Sequence, residues 1–324
     1  MRHVVIGVLL GSVYLWAYAG VRSAGYVYED DHWVAAPACC PSVTLATFAA
    51  QDGASPRSHH LLNIALHAAV AALVGLWARR LGVSASGAWV AVALMLWHPM
   101  AVEAAAYVAG RAELVTALLV MAACGLMVGG GWALAAGLTF GLAAGYGKVT
   151  GLAVVALVPL TLVGRGQVRR AIVVLVLLVV GAVALWAGRV EEVFGWSTPS
   201  VGAIAWFYLQ ATAAVRLIGM TVVPVGQSVV FDVELVPVAA QAMAAMWLVV
   251  LGGFAWMVRG RWPLVAIGIV WMMIVIAPRL IVQLPDHVFQ TAGTAFGERH
   301  LYLALPGAAL IAGTLWDGGR RRIG

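Results

Sequence analysis

Long apolar stretches alternate with short polar segments along almost the whole chain. A helix needs about 20 residues, at 1.5 Å rise per residue, to cross about 30 Å of hydrocarbon, and ten stretches approach that length. These stretches lie near residues 3–22, 60–78, 85–100, 113–129, 131–146, 149–163, 171–188, 236–257, 263–280 and 300–316. The pattern predicts an all-α, polytopic helical membrane protein of about ten spans, folded as a single transmembrane domain over residues 1–324.

The first stretch allows two interpretations. Arg2, the apolar run behind it and the small residues on either side of Tyr18 are also typical of a cleavable signal peptide. We expect this segment to be retained as a membrane anchor.

Composition agrees with a membrane protein. Of the 324 residues, 63% are hydrophobic and only 10% are charged, whereas an ordinary soluble domain has about 25% charged residues. The formal net charge is +6, but the arginines lie in short clusters between apolar stretches, which is typical of topology signals, so we expect no nucleic-acid partner. Cys39, Cys40 and Cys124 lack the spacing of a disulfide framework or a zinc site.

The basic clusters predict the orientation of the chain, because short loops rich in Lys and Arg stay in the cytoplasm. An even number of spans then puts both termini in the cytoplasm of a bacterial inner (plasma) membrane, and the stretch at 201–223, with Gln210 and Arg216, should not cross. The inner clusters are Arg79-Arg80, Arg165 with Arg169-Arg170, Arg259 with Arg261, and Arg320-Arg321-Arg322.

Almost all acidic residues fall on the outer side in this topology, and only Asp317 is left inside. The outer loops lie near 23–59, 98–113, 189–235 and 281–299. We expect any chemistry to take place in these loops, on the outer face.

The first outer loop carries three adjacent carboxylates, Glu29, Asp30 and Asp31. Neighbouring carboxylates repel one another, which disfavours ionisation of at least one of them and makes it a candidate general base. The cluster is equally typical of a solvated face or an orientation signal.

The second outer segment, from His98 to Glu113, would place Glu103, Tyr107 and Arg111 along one face if it were a continuous helix. Such a polar stripe could form the wall of a pocket, or it could be a surface network of Glu103 and Arg111 that caps two spans.

The last outer loop ends in Glu298-Arg299-His300-Leu301-Tyr302. An interfacial arginine with a tyrosine three residues later can bind a phosphate by forked hydrogen bonds, and both residue types are also ordinary membrane anchors. Lys148, at the start of the sixth predicted span, allows the same two interpretations.

Five motifs, in this order between the apolar stretches, carry a family resemblance. They are Asp30-Asp31, His60-Leu-Leu-Asn-Ile-Ala-Leu-His67, His98-Pro99 with Glu103 and Gly110-Arg111-Ala-Glu113, Lys148 before Thr150-Gly151, and Glu298-Arg299-His-Leu-Tyr302. Together they resemble the transmembrane-and-tetratricopeptide-repeat O-mannosyltransferases and their bacterial relatives, over nearly the whole chain.

The resemblance implies a C-type glycosyltransferase fold that moves a mannose-like sugar from a polyprenyl-phosphate donor in the membrane to a protein or glycan acceptor outside. It implies Asp30 or Asp31 as general base, and Arg111, Lys148 and Arg299 as candidates for stabilising the phosphate leaving group. Glu103 and Glu113 would orient the sugar or the basic residues, with Glu298 and Tyr302 beside Arg299. It also implies no cofactor and no metal, although the acidic cluster has oxygen ligands suited to Mg²⁺ or Mn²⁺.

This sequence also departs from the family pattern. Cys40-Pro41-Ser42 stands where the family has Arg-Pro-Leu, and Lys148-Val149 where it has Lys-Glu. We also expect a short form of the family, without the tetratricopeptide repeats. The alternative to an enzyme is therefore an inactive, transferase-derived scaffold or accessory subunit of a larger membrane assembly. A transporter is less well supported, because no predicted span contains a run of charges.

Overall fold

A computed structural model of the chain describes residues 2–26, 34, 43–187, 203–224, 231–232, 238–281, 295–296 and 302–323. Within these ranges the regular secondary structure is helical, apart from one pair of two-residue strands. The α-helices are α1 (Arg2–Ala17), α2 (Val43–Ala49), α3 (Pro56–Arg80), α4 (Ala85–Trp97), α5 (Pro99–Ala106), α6 (Arg111–Leu126), α7 (Trp132–Gly147), α8 (Val154–Gly164), α9 (Val168–Trp186), α10 (Ala203–Val222), α11 (Val238–Val258), α12 (Pro263–Ile281) and α13 (Leu305–Ile323).

Short elements complete the described part of the chain. Strands β1 (Phe231–Asp232) and β2 (Ala295–Phe296) pair antiparallel, with Phe231 opposite Phe296. Stretches of 3-10 helix cover Val21–Ser23, Val108–Gly110, Val149–Ala153 and residues 302–304.

Each of the ten predicted apolar stretches contains a helix, so the all-helical prediction is confirmed. Among the described residues, three helical segments are long and apolar enough to cross a membrane: Pro56–Arg80, Val108–Leu126 and Val168–Leu185. A fourth candidate is the pair α4 and α5, which meet at a bend of 57° next to His98. Several of the other apolar helices have only 10–17 residues, and the count of ten spans stays a prediction.

Helix α9 shows how apolar residues are distributed in this bundle. Ala171, Val174 and Leu178 recur at three- and four-residue spacing and are buried, which is the pattern of one helix face packed on its neighbours. The opposite face is also apolar yet exposed, with Val176, Val180 and others uncovered. A soluble helix would carry polar residues there, so this face suits lipid as its solvent.

The arginine clusters lie at one end of the bundle, which we call the arginine end and define by residues 79–84, 125–128, 164–170, 258–264 and 313–318. Arg80 donates to the Gly125 carbonyl, and Arg170 donates to the Val128 carbonyl at 3.3 Å. At the same end the Ser84 amide donates to Asp317 Oδ2 at 2.6 Å. The turn between α3 and α4 is therefore fixed to the end of α13.

Helix α13 packs closely on two neighbours at glycine pairs. A Cβ atom added to Gly313 would lie 2.6 Å from the Gly87 carbonyl oxygen of α4, and one added to Gly307 would lie 2.6 Å from that of Gly268 in α12. Both distances are below normal contact, so the backbones approach only because these residues have no side chain. Such crossings at small residues are typical of helices packed within membranes.

Candidate functional site

One face of α3 carries three buried polar side chains, His59, Asn63 and His67, at four-residue spacing. Each has no solvent exposure at all. Burying polar groups without partners costs free energy, so each needs a hydrogen bond from another element. We call these three residues the polar line of α3, and the candidate site consists of them and the side chains that contact them.

Arg111, the first residue of α6, lies against His59 and Asn63 at the N-terminal end of this line and is itself fully buried. Its Nε donates to Asn63 Oδ1 at 3.0 Å, and its Nη2 lies 3.0 Å from His59 Nδ1 and 3.3 Å from the His59 carbonyl oxygen. The guanidinium carbon also stacks 4.1 Å above the ring of Phe48, and Nη1 donates to the Thr47 carbonyl at 3.4 Å. Helices α2, α3 and α6 therefore meet at this one side chain.

The continuous helix considered for residues 98–113 does not form. α5 ends at Ala106, Tyr107 is extended (φ −81°, ψ 127°) and a 3-10 turn leads into α6. The Tyr107 carbonyl accepts from the Gly110 amide at 3.0 Å within this turn and from Asn63 Nδ2 at 2.9 Å. The prediction that Glu103, Tyr107 and Arg111 line one face of a single helix is therefore wrong. Arg111 lies in the protein interior and not in a surface network.

The turn after Tyr107 depends on Gly110. A Cβ atom there would collide with the backbone of Ala104, so only glycine allows α5 and α6 to approach this closely. This approach brings Arg111 to Asn63.

Glu103 lies half-buried on α5, and His98 begins that helix. The His98 Nδ1 atom accepts a hydrogen bond from the Met100 amide at 3.2 Å, which is the geometry of a helix N-cap. His98 therefore caps the N-terminus of α5.

Glu113 and Lys148 form an ion pair between the first turn of α6 and the end of α7. Glu113 is 2% exposed, whereas the Lys148 side chain is 22% exposed, so the buried carboxylate holds an ammonium group that still reaches the surface. Lys148 is extended between α7 and the 3-10 helix that follows. That turn requires Gly151, because a Cβ there would collide with the Ala144 carbonyl.

Tyr302 lies deeper in the bundle than its predicted place at the membrane interface. It is fully buried in a 3-10 turn at residues 302–304, and α13 begins only at Leu305. The Tyr302 hydroxyl lies 2.6 Å from His67 Nδ1, and the rings of Tyr14 and Tyr18 pack against His67. Tyr302 thus joins the same line of polar residues at His67.

Of the residues predicted for the site, the structure brings Arg111, Glu113, Lys148 and Tyr302 into contact with other motif residues. Asp30, Asp31, Glu298 and Arg299 lie outside the described residues. In the part of the chain that is described, no group of three His, Cys, Asp or Glu side chains could hold a metal ion.

The sequence interpretation missed His59 and the roles of Asn63 and His67. Their signal was present, because polar residues at i, i+4 and i+8 share one face of a helix that is otherwise apolar. A polar line within an apolar helix should be assigned to the protein interior.

No protein-family model, curated protein or solved structure matches this chain.

Proposed function

We propose that this protein is a membrane glycosyltransferase of the C-type fold, with ten spans. It would move a mannose-like sugar from a polyprenyl-phosphate donor to a protein or glycan acceptor on the side away from the arginine end. One observation carries the proposal: the motifs behind the family resemblance, far apart in sequence, contact one another through side chains. The contacts are Asn63 with Arg111, Glu113 with Lys148, and His67 with Tyr302.

The reaction forms a bond between the acceptor hydroxyl oxygen and the anomeric carbon of the sugar, with inversion. The bond from that carbon to the phosphate oxygen breaks, and the polyprenyl phosphate leaves with the electron pair. The carboxylate of Asp30 or Asp31 takes the proton of the acceptor hydroxyl. No oxidant, reductant or cofactor is needed.

The leaving phosphate needs a positive group that is fixed yet reachable. Lys148 meets both conditions, because Glu113 holds its ammonium group while 22% of its side chain stays exposed. Arg111 is buried and engaged by Asn63 and His59, so it acts by positioning these side chains. In this proposal Lys148 and Arg299 carry the phosphate.

His59 adds a buried hydrogen-bond donor beside Arg111. Its Nδ1 faces the Arg111 guanidinium, which can only donate, so Nδ1 accepts and Nε2 carries the hydrogen. That Nε2 is buried and has no partner among the described residues. An oxygen of the donor substrate would satisfy it.

A second candidate function is the inactive scaffold or accessory subunit. Arg111 is fully buried by contacts within the protein, and Lys148 is already paired. Such internal contacts can serve only to stabilise the fold. The chain could then act as a subunit that packs against a larger membrane assembly.

An assay of sugar transfer in membranes distinguishes the glycosyltransferase from the inactive scaffold. Membranes that contain this chain should transfer radiolabelled sugar from a polyprenyl-phosphate donor, and membranes without it should not. Lys148→Met should reduce transfer strongly, whereas Arg57→Gln, an exposed cation at the start of α3, should leave it unchanged. Equal transfer with and without the chain would favour the scaffold.

A further inference from the structure

A groove of about 540 Å³ separates α1 from α3 and α4. Helix α1 is held at its two ends. Near one end Trp89 lies against Gly7 and donates from Nε1 to His3 Nδ1 at 3.1 Å, and near the other the Tyr14 hydroxyl donates to the Ile64 carbonyl at 2.8 Å. Between these contacts the lining is apolar and includes Leu10, Gly11, Ala68, Ala72, Leu76 and Leu96.

The middle of the groove is wide enough to admit a ligand. A Cβ atom added to Gly11 would meet no heavy atom within 4 Å, and the volume is within the range of about 300–1,000 Å³ found for ligand pockets. Water gains few hydrogen bonds from an apolar lining, and an empty gap would lose dispersion contacts along both helices. An apolar chain is the occupant that suits such a groove in a membrane.

A positively charged side chain, that of Arg79, lies at one end of the groove. Arg79 lines it at the arginine end, and its Nη1 donates to the Val83 carbonyl at 2.6 Å. That bond uses one of the five N–H groups of the guanidinium, whose fork matches the oxygens of a phosphate. Basic clusters mark the cytoplasmic side, where the leaflet is rich in anionic lipid.

We propose that this groove binds one anionic phospholipid, with an acyl chain between α1 and α3 and its phosphate at Arg79. The lipid takes the place of direct helix contacts and fixes α1 on the bundle. The site lies at the end of α3 opposite His59, so it is separate from the proposed donor site and does not depend on sugar transfer.

Native mass spectrometry of the purified full-length chain tests the site, with phosphatidylglycerol and phosphatidylcholine as probes. Gly11→Leu should extend a side chain into the groove from a position where a Cβ atom meets no heavy atom within 4 Å, and Arg79→Gln should remove the charge. Each has a matched control. Gly253→Leu places the same side chain at an open, exposed position of α11, and Arg259→Gln removes another exposed arginine bound to one carbonyl, that of Trp256 at 2.6 Å.

The wild type should retain phosphatidylglycerol in preference to phosphatidylcholine. Gly11→Leu and Arg79→Gln should each weaken phosphatidylglycerol binding by about tenfold or more, and the controls should stay within about twofold. Equal binding in all variants, or equal retention of the two lipids by the wild type, would overturn the proposal. Melting temperatures show whether each variant is folded, and if Gly11→Leu fails to fold, Arg79→Gln against Arg259→Gln decides.

Discussion

The Nδ1 atom of His67 lies 2.6 Å from the hydroxyl oxygen of Tyr302, although 235 residues separate the two along the chain. Both side chains are fully buried, so neither can replace this hydrogen bond with one to water. The contact fixes the turn before α13 to the middle of α3. It therefore links a motif near the start of the chain to one near its end.

Replacing Tyr302 with Phe should destabilise the protein, because it leaves His67 Nδ1 buried without its partner. We expect a loss of about 1–3 kcal/mol, measured as thermal unfolding in detergent. The double variant with His67→Leu should lose less than the two single losses added together, since both partners are then apolar. Strict additivity would show that the bond contributes nothing.

Removing the positive partner of Glu113 should be costly. Lys148→Met leaves a carboxylate that is 2% exposed without its ion pair. Breaking a fully buried pair costs about 3–5 kcal/mol, and we expect a smaller loss here because 22% of the lysine side chain is exposed. Adding Glu113→Gln to that variant should recover part of the stability. If Lys148→Met melts at the wild-type temperature, the pair is not formed in the membrane.

Gly313→Ala should separate α13 from α4, because the new Cβ would lie 2.6 Å from the Gly87 carbonyl oxygen. The helices must move apart, and overpacking typically costs about 1–3 kcal/mol. Gly253→Ala is the matched control in α11, where a Cβ meets no atom within 4 Å and where Ala should stabilise the helix slightly. A lower melting temperature only for Gly313→Ala is the expected result, and equal changes would contradict the close crossing.

The predicted topology can be tested with single cysteines in a variant that lacks Cys39, Cys40 and Cys124. Cysteines at positions 192 and 232 should react with a membrane-impermeant reagent added from outside, and one at position 260 should not, because it lies in an arginine cluster. External labelling at 260 would contradict the orientation. External labelling at 192 but not at 232 would show that α10 crosses the membrane.

The sequence was sufficient to predict that the apolar stretches are helical. In lipid the backbone N–H and C=O groups of a long apolar run must hydrogen-bond to each other, because no water is available. The same argument fails where polar residues interrupt the run. The segment around Tyr107 satisfies the pattern of a continuous helix, but the chain turns there: Gly110 packs against the backbone of Ala104, and Asn63, 44 residues away, donates to the Tyr107 carbonyl. The hydrophobic pattern contains neither contact, so it could not predict the turn.

Only part of the candidate site could be predicted, because its contacts also join distant parts of the chain. The motif order identified Arg111, Glu113, Lys148 and Tyr302, because each is a polar residue at the edge of an apolar stretch. Their partners could not be assigned, since periodicity in one helix does not show which other helix it faces. The short helix α2 was missed as well, because its seven residues are too few to show a period.

Sugar transfer by purified protein in lipid vesicles tests the proposed function most directly. The wild type should transfer radiolabelled sugar from a mannose-like polyprenyl-phosphate donor to an outer acceptor. The double variant Asp30→Asn, Asp31→Asn should lose about 10²–10⁴-fold in turnover, the usual contribution of a general base, at an unchanged melting temperature. Full turnover by the double variant would contradict the assigned base, and no transfer by the folded wild type with any polyprenyl-phosphate sugar would contradict the enzyme itself.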